Sequence, residues 1–174
     1  MSPIDISLRN RLCYLGVNAT ISDDGYFNYP EEVWIGDHTS IGDGYWFNVA
    51  TPGIGPVPKI SIGEGTRCDR DVLMSAINRI EVGKNVTIGP YVYISDTDHQ
   101  FREIGIPIGL QGTTTRDNQV IIGDNTTIGA HAVIVGNVNI GRDCIVAPNT
   151  VVTKDIPDGF RAMGVPSRAS PICS

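Results

Sequence analysis

Residues 122–157 read IGDNTT IGAHAV IVGNVN IGRDCI VAPNTV VTKDIP. Each of these six hexads opens on Ile or Val, at Ile122, Ile128, Ile134, Ile140, Val146 and Val152. A period of six fits neither the 3.6-residue turn of a helix nor the strict alternation of a long half-buried strand. It fits a short strand followed by a sharp corner. If three hexads close one triangular coil, the apolar side chains stack in columns inside a prism, and successive coils pair through backbone hydrogen bonds about 4.8 Å apart.

The same frame recurs upstream in sets of three: Ile35, Ile41 and Phe47, then Ile62, Cys68 and Met74, then Val82, Ile88 and Ile94. The spacing is broken between Phe47 and Ile62 and between Ile94 and Ile122, by 9 and 22 extra residues, and both breaks follow the third member of a set. Insertions placed there leave the stack intact. A weaker early coil reads through Ile21, Phe27 and Val33, so the spacing predicts five to six coils. Eight of the fifteen column residues are followed directly by Gly, at 36, 42, 63, 83, 89, 123, 129 and 141. We expect these glycines to supply permissive backbone at the corners. Small or β-branched residues such as Thr39, Thr66, Val86, Thr126, Ala132 and Thr150 follow four places after the column residue.

Composition agrees with this pattern. The 174 residues include 23 Ile and 16 Val against 5 Leu, and 20 Gly, above the usual share of about 7%. Stiff β-branched side chains suit strands and argue against a helical bundle. Only 12 residues are aromatic, which suits a narrow interior. The net charge of −6, from 13 basic and 19 acidic side chains, offers no broad positive surface for nucleic acid or an anionic membrane. Cys13, Cys68, Cys144 and Cys173 form no C-x-x-C pair, so neither a zinc knuckle nor a disulfide framework is expected. The opening MSPIDISLRNRLCYLG lacks the apolar core of a signal peptide, and no run approaches the roughly 18 apolar residues of a spanning helix. The expectation is one cytoplasmic domain over 1–174 without membrane insertion: coils over 20–156, an inserted loop at 99–119 and a short C-terminal segment, 157–174.

The repeat resembles that of the hexapeptide-repeat, left-handed β-helix acyltransferases, a family that includes galactoside, maltose and serine acetyltransferases and many surface-polysaccharide O-acetyltransferases. The likeness covers about residues 20 to 168 and is most specific in IGDNTTIGAHAVI and VTKDIPDGFRAMGVPSR. Periodicity alone gives an all-β parallel β-helix. The resemblance implies that it is left-handed, although isolated parallel crossovers are nearly always right-handed. It further implies acetyl-CoA as co-substrate and a homotrimer with active sites between subunits.

Three histidines are present. His38 and His131 both take the fourth place of a hexad, an outward corner position. His99 instead opens the long insertion, directly after ISDTD. Long loops on rigid scaffolds commonly carry function, and an imidazole titrates near neutral pH, as a base for a hydroxyl acceptor must. The family places its catalytic histidine at the matching point. A carboxylate on the other ring nitrogen would hold the tautomer. Asp96, Asp98 and Glu103 are all near enough in sequence, with Asp96 preferred because it lies on the regular coil.

Residue-by-residue matching to the family implies coenzyme A contacts at Ala130, Pro148, Thr153, Lys154 and Arg168. Pro148 departs from the small residue usual there and has no N–H to donate. The family's sugar-binding Asn is matched by Asp69, with Asp71 beside it as a second candidate. A carboxylate accepts hydrogen bonds but does not donate them, so that contact is not reproduced. The resulting expectation is transfer of an acetyl group from acetyl-CoA to a hydroxyl, or as second choice an amine, of a carbohydrate or nucleotide-sugar acceptor. The weighed alternatives are a non-catalytic β-helix scaffold subunit and a γ-carbonic-anhydrase-like metal hydratase. The latter needs three interfacial histidines, which the spacing of His38, His99 and His131 does not suit, so no metal site is expected.

Overall fold

A computed structural model describes residues 10–50, 58–113 and 117–172. Its strands form six triangular coils. The first coil comprises β1 (Tyr14–Leu15), β2 (Thr20–Ile21) and β3 (Gly25–Asn28), and the second β4 (Val33–Ile35), β5 (Ser40–Ile41) and β6 (Tyr45–Val49). The third has β7 (Ile60–Ile62), β8 (Arg67–Cys68) and β9 (Leu73–Ala76), and the fourth β10 (Arg79–Val82), β11 (Thr87–Ile88) and β12 (Tyr93–Ser95). After the inserted loop come β13 (Gln119–Ile122), β14 (Thr127–Ile128) and β15 (Val133–Val135), then β16 (Val138–Ile140), β17 (Ile145–Val146) and β18 (Val151–Val152). The chain closes with β19 (Phe160–Met163), parallel to β17, and β20 (Arg168–Pro171), antiparallel to β19.

Three parallel faces result. Face A runs β1-β4-β7-β10-β13-β16, face B starts β2-β5-β8-β11-β14-β17, and face C is β3-β6-β9-β12-β15-β18. The register confirms the columns: Ile35, Ile62, Val82, Ile122 and Ile140 pair in line on face A, as do Phe47, Met74, Ile94, Ile134 and Val152 on face C. All fifteen column residues are buried. The first coil begins at Tyr14, earlier than residue 20, and its column is Leu15, Ile21 and Phe27. Val33 instead opens the second coil, buried beside Ile35 on an alternating strand.

The corner glycines serve a different purpose from the expected one. Glycines directly after column residues do not adopt positive φ; the left-handed residue comes two places later. Asn18, His38, Asn85, Asn125 and Asp143 hold φ between 53° and 59° at the A–B corners, and Asp71, Tyr91, His131 and Asn149 between 56° and 60° at the B–C corners. What the column-adjacent Gly avoids is collision. A Cβ on Gly63 would stand 2.5 Å from the carbonyl carbon of Gly83, and one on Gly123 would stand 2.6 Å from that of Gly141. Coils approach so closely there that only hydrogen fits between them.

The inward threonines bind the stack. Thr39, Thr66 and Thr126 donate through Oγ1 to the carbonyls of Gly63, Gly83 and Gly141 on the next coil, at 2.8–2.9 Å. Their hydroxyls are thus satisfied inside an otherwise apolar prism. Thr150 stands instead at a B–C corner, and its buried hydroxyl has no hydrogen-bond partner among the described residues.

Candidate active site

The prism has three edges, and the expected residues other than Arg168 divide between two of them. At the C–A edge, β12 delivers Asp96 and then the loop that starts with His99. Thr153 and Lys154 follow β18 at the same edge, two coils further on, and both are exposed. Asp69, Asp71, Ala130 and Pro148 lie at the B–C edge, across face C. A face only a few residues wide at about 3.3 Å each still holds the two edges roughly 15 Å apart. Arg168 opens the exposed C-terminal strand, paired with Met163.

His99 sits at the base of a small hairpin. It bridges Thr113 in antiparallel fashion, and the Gln100 N–H donates to the Gly112 carbonyl at 3.0 Å. The Gln111 side chain fastens the loop from within: Nε2 donates to the carbonyls of Glu103 and Ile106, and Oε1 accepts from the Glu103 N–H. The His99 side chain is exposed, and its ring makes no hydrogen bond among the described residues. Loop residues Phe101, Ile104, Ile108 and Leu110 are also exposed, at 63%, 102%, 54% and 78%.

Asp96 does not orient the imidazole. Its Oδ1 accepts the Ile77 N–H at 2.8 Å and its Oδ2 those of Asn78 and Arg79 at 2.7 and 2.6 Å. The carboxylate instead fastens the turn between β9 and β10 from the coil above. Burial raises the Asp96 pKa above the usual aspartate value, opposed by those three N–H donors and by the Lys59 charge. Asp98 Oδ1 accepts the backbone N–H of His99 at 2.7 Å, so it too is turned to the main chain. Glu103 is held in the loop by Gln111 through its backbone, and no carboxylate among the described residues bonds the imidazole.

At the B–C edge, half-buried Asp69 pairs with Arg67 at 3.5 Å, and Asp71 lies 3.8 Å from Arg70. Between them and Ala130 stands a feature the sequence reading missed. The Arg70 guanidinium lies over the Tyr91 ring at 5.3 Å and donates to its hydroxyl at 2.9 Å, while Tyr91 stacks on His131 at 4.8 Å. Planar groups therefore cover three successive corners beside the expected coenzyme positions. A bulky aromatic in a slot where Asn or Gly is usual was the available sequence signal. Pro148 is exposed, and its ring nitrogen stands where a Cβ on Gly129 would reach, 2.5 Å away, so this contact also requires the glycine.

Cys68 is a column residue whose thiol burial pushes up to about 12, which makes it structural. Among the described residues no group of three or more His, Cys, Asp or Glu is gathered to hold a metal, and no helix is long and apolar enough to cross a membrane.

Comparison with known proteins agrees with this geometry. The model of the bacterial transferase hexapeptide family (six repeats) matches residues 119–154. The galactoside O-acetyltransferase of Escherichia coli is 36% identical over 93 residues, 51% of this chain and 42% of its own length. A Mycobacterium tuberculosis protein named "Probable acetyltransferase" is 32% identical over 109 residues, 63% of this chain and 36% of its own. This chain thus spans about two fifths of the length of these curated relatives. Among solved structures, AntD, an N-acyltransferase from Bacillus cereus crystallised with dTDP and 3-hydroxybutyryl-CoA, superimposes with a TM-score of 0.77 at 20% identity, covering 94% of this chain and 84% of that one. A mirror-image coil would not superimpose, so the hand is shared. Residues 119–154 thus carry the repeat of the bacterial transferase hexapeptide family, and the chain shares the left-handed parallel β-helix fold of the acyltransferase it superimposes on.

Proposed function

We propose that the protein is an acetyl-CoA-dependent acetyltransferase that acylates a hydroxyl of a carbohydrate or nucleotide-sugar acceptor, with His99 as general base. The observation that carries this reading is the placement of His99. It stands where the C–A edge is interrupted, at the pinned base of an exposed loop, with its ring free of partners among the described residues. His99 takes the proton of the acceptor hydroxyl as that oxygen attacks the thioester carbonyl. Backbone N–H groups at the coil edge stabilise the tetrahedral oxyanion, and the coenzyme A thiolate leaves. A rigid prism that fixes both substrates supplies further rate through positioning.

The separation of the two residue groups favours a homotrimer. Asp69, Asp71, Ala130 and Pro148 at one edge face His99, Thr153 and Lys154 from the other only when a second copy brings its edge alongside. Arg168 reaches the coenzyme from the C-terminal strand. The exposed apolar row on the loop, Phe101 to Leu110, suits burial against such a neighbour. Asp96 then acts as a positioning residue that keeps the C–A edge rigid beside His99.

A second reading, transfer to an amine, is favoured by one observation: AntD, at a TM-score of 0.77, is an N-acyltransferase. Thiol release from acetyl-CoA across paired hydroxyl and amino sugars, free and nucleotide-linked, distinguishes the two. Turnover with hydroxyl acceptors supports the first reading, and turnover confined to amino sugars supports the second. Absence of turnover with both would leave the scaffold alternative.

A further inference from the structure

Face A carries a cleft apart from both edges, of about 330 Å³, within the range of small ligand pockets. Its wall is aromatic. Tyr14 and Trp34, paired in register on β1 and β4, stack at 5.1 Å and 17° from parallel. The next outward residue along the face is Ser61, paired with Trp34 on β7, and it is too small to cover the other side of the indole. One ring face of Trp34 therefore looks into the cleft over a serine floor.

The rim is polar and acidic. Asp37, Glu64, Glu81 and Asp124 contribute four carboxylates; Lys84 pairs with Glu64 and Arg79 with Glu81, which leaves Asp37 and Asp124 without a cation among the described residues. Asp37 Oδ1 accepts from the Tyr14 hydroxyl at 3.0 Å and the Val17 N–H at 2.8 Å, and Asp124 Oδ1 accepts from the Lys84 N–H at 2.7 Å. Neither Oδ2 has a hydrogen-bond donor among the described residues. Lys84 is held by Glu64 at 3.2 Å, so its charge is already matched. Such a rim repels phosphates and carboxylates but accepts hydrogen bonds from hydroxyls. An open aromatic face beside free acceptors suits a sugar ring, whose C–H face packs on the indole while its hydroxyls donate outward.

We propose that this cleft is a carbohydrate subsite that holds a neutral pyranose flat on Trp34. It rests on the reading of a carbohydrate acceptor and extends it. Face A borders the C–A edge, and Glu81 on β10 belongs to the same coil that delivers His99 through β12. A glycan whose terminal ring lies at His99 would continue across this face.

Trp34 and Trp46 are the two tryptophans of the chain, so a Trp46→Phe background makes Trp34 the sole indole reporter. Methyl glycosides of glucose, galactose and N-acetylglucosamine are titrated while Trp34 emission is followed, with glucose 6-phosphate as the anionic counterpart. The proposal expects saturable change with at least one neutral glycoside, none with the phosphate, and about tenfold weaker binding in Ser61→Leu, which fills the floor and leaves the Tyr14–Trp34 stack in place. An unchanged melting temperature certifies that Ser61→Leu is folded. No response to any neutral glycoside, or an equal response in folded Ser61→Leu, overturns it. Thiol release with the same glycosides separates the two readings. Acetyl transfer without a Trp34 response removes the cleft and keeps the acceptor class, whereas a saturable, Ser61-dependent response without transfer to any carbohydrate supports the cleft and removes that acceptor class.

Discussion

The Tyr91 phenol and the His131 imidazole lie face to face, 4.8 Å apart and 9° from parallel, at the same left-handed corner of consecutive coils. Tyr91 holds φ at 60°, a conformation that costs a non-glycine residue about 1–2 kcal/mol. The stack returns roughly 0.5–1.5 kcal/mol. Tyr91→Asn places at this corner the residue found at Asn149, so we predict stability within about 1 kcal/mol of wild type. If the planar edge seats the coenzyme, the KM for acetyl-CoA rises several-fold while kcat changes little. Calorimetry and steady-state kinetics on the same variant check both.

Asp96 predicts an unusual pH dependence. Burial raises its pKa in the folded state, so the folded protein binds this proton more tightly than the unfolded chain. Its contribution to stability is therefore greatest below the ordinary aspartate pKa and declines as pH rises through the raised value. A salt-bridged aspartate gives the opposite slope. Asp96→Asn abolishes that decline. It also turns an amide N–H₂ toward backbone N–H donors, which costs about 1–3 kcal/mol. Chemical denaturation from mildly acidic to neutral pH should show the slope in wild type and not in the variant.

The close approach of coils is tested at Gly63. A methyl group there meets the Gly83 backbone at 2.5 Å, so Gly63→Ala should destabilise by about 1–3 kcal/mol or prevent folding. Gly109, in the inserted loop, has nothing within 4 Å of such a methyl, and Gly109→Ala should melt as wild type does. Equal melting of the two variants would show that coil contact is not what requires glycine.

The division of residues between edges predicts complementation. His99→Ala damages the C–A edge and Ala130→Trp crowds the B–C edge, so each homogeneous protein should be inactive. Co-expressed, the two should regain part of the activity, because some neighbouring copies then present one intact edge of each kind. A site contained in one chain would regain none.

How much of this was legible in the sequence depends on range. The fifteen regular column positions were readable because a hexad repeat fixes burial locally: Ile122, Ile128 and Ile134 follow from spacing alone, and the register pairs them as expected, whereas in the weaker first coil the spacing chose Val33 where the column residue is Leu15. The role of the column-adjacent glycines was not readable, because it depends on the neighbouring coil about 4.8 Å away. Nor was Asp96 readable as a fastener. Its partners, Ile77 to Arg79, lie 17 to 19 residues earlier, one coil in space, a distance that inspection of the stretch around His99 does not reach. Tyr91 and His131 are 40 residues apart with the inserted loop between them, and only the stacked corners bring their rings together.

The central claim is that His99 removes the acceptor proton. Thiol release from acetyl-CoA, measured with the best carbohydrate acceptor for wild type and His99→Ala side by side, tests it most directly. A general base contributes about 10²–10⁴-fold, so kcat should fall by that factor while the melting temperature of the exposed-site variant stays unchanged. Turnover by folded His99→Ala equal to wild type would contradict the account.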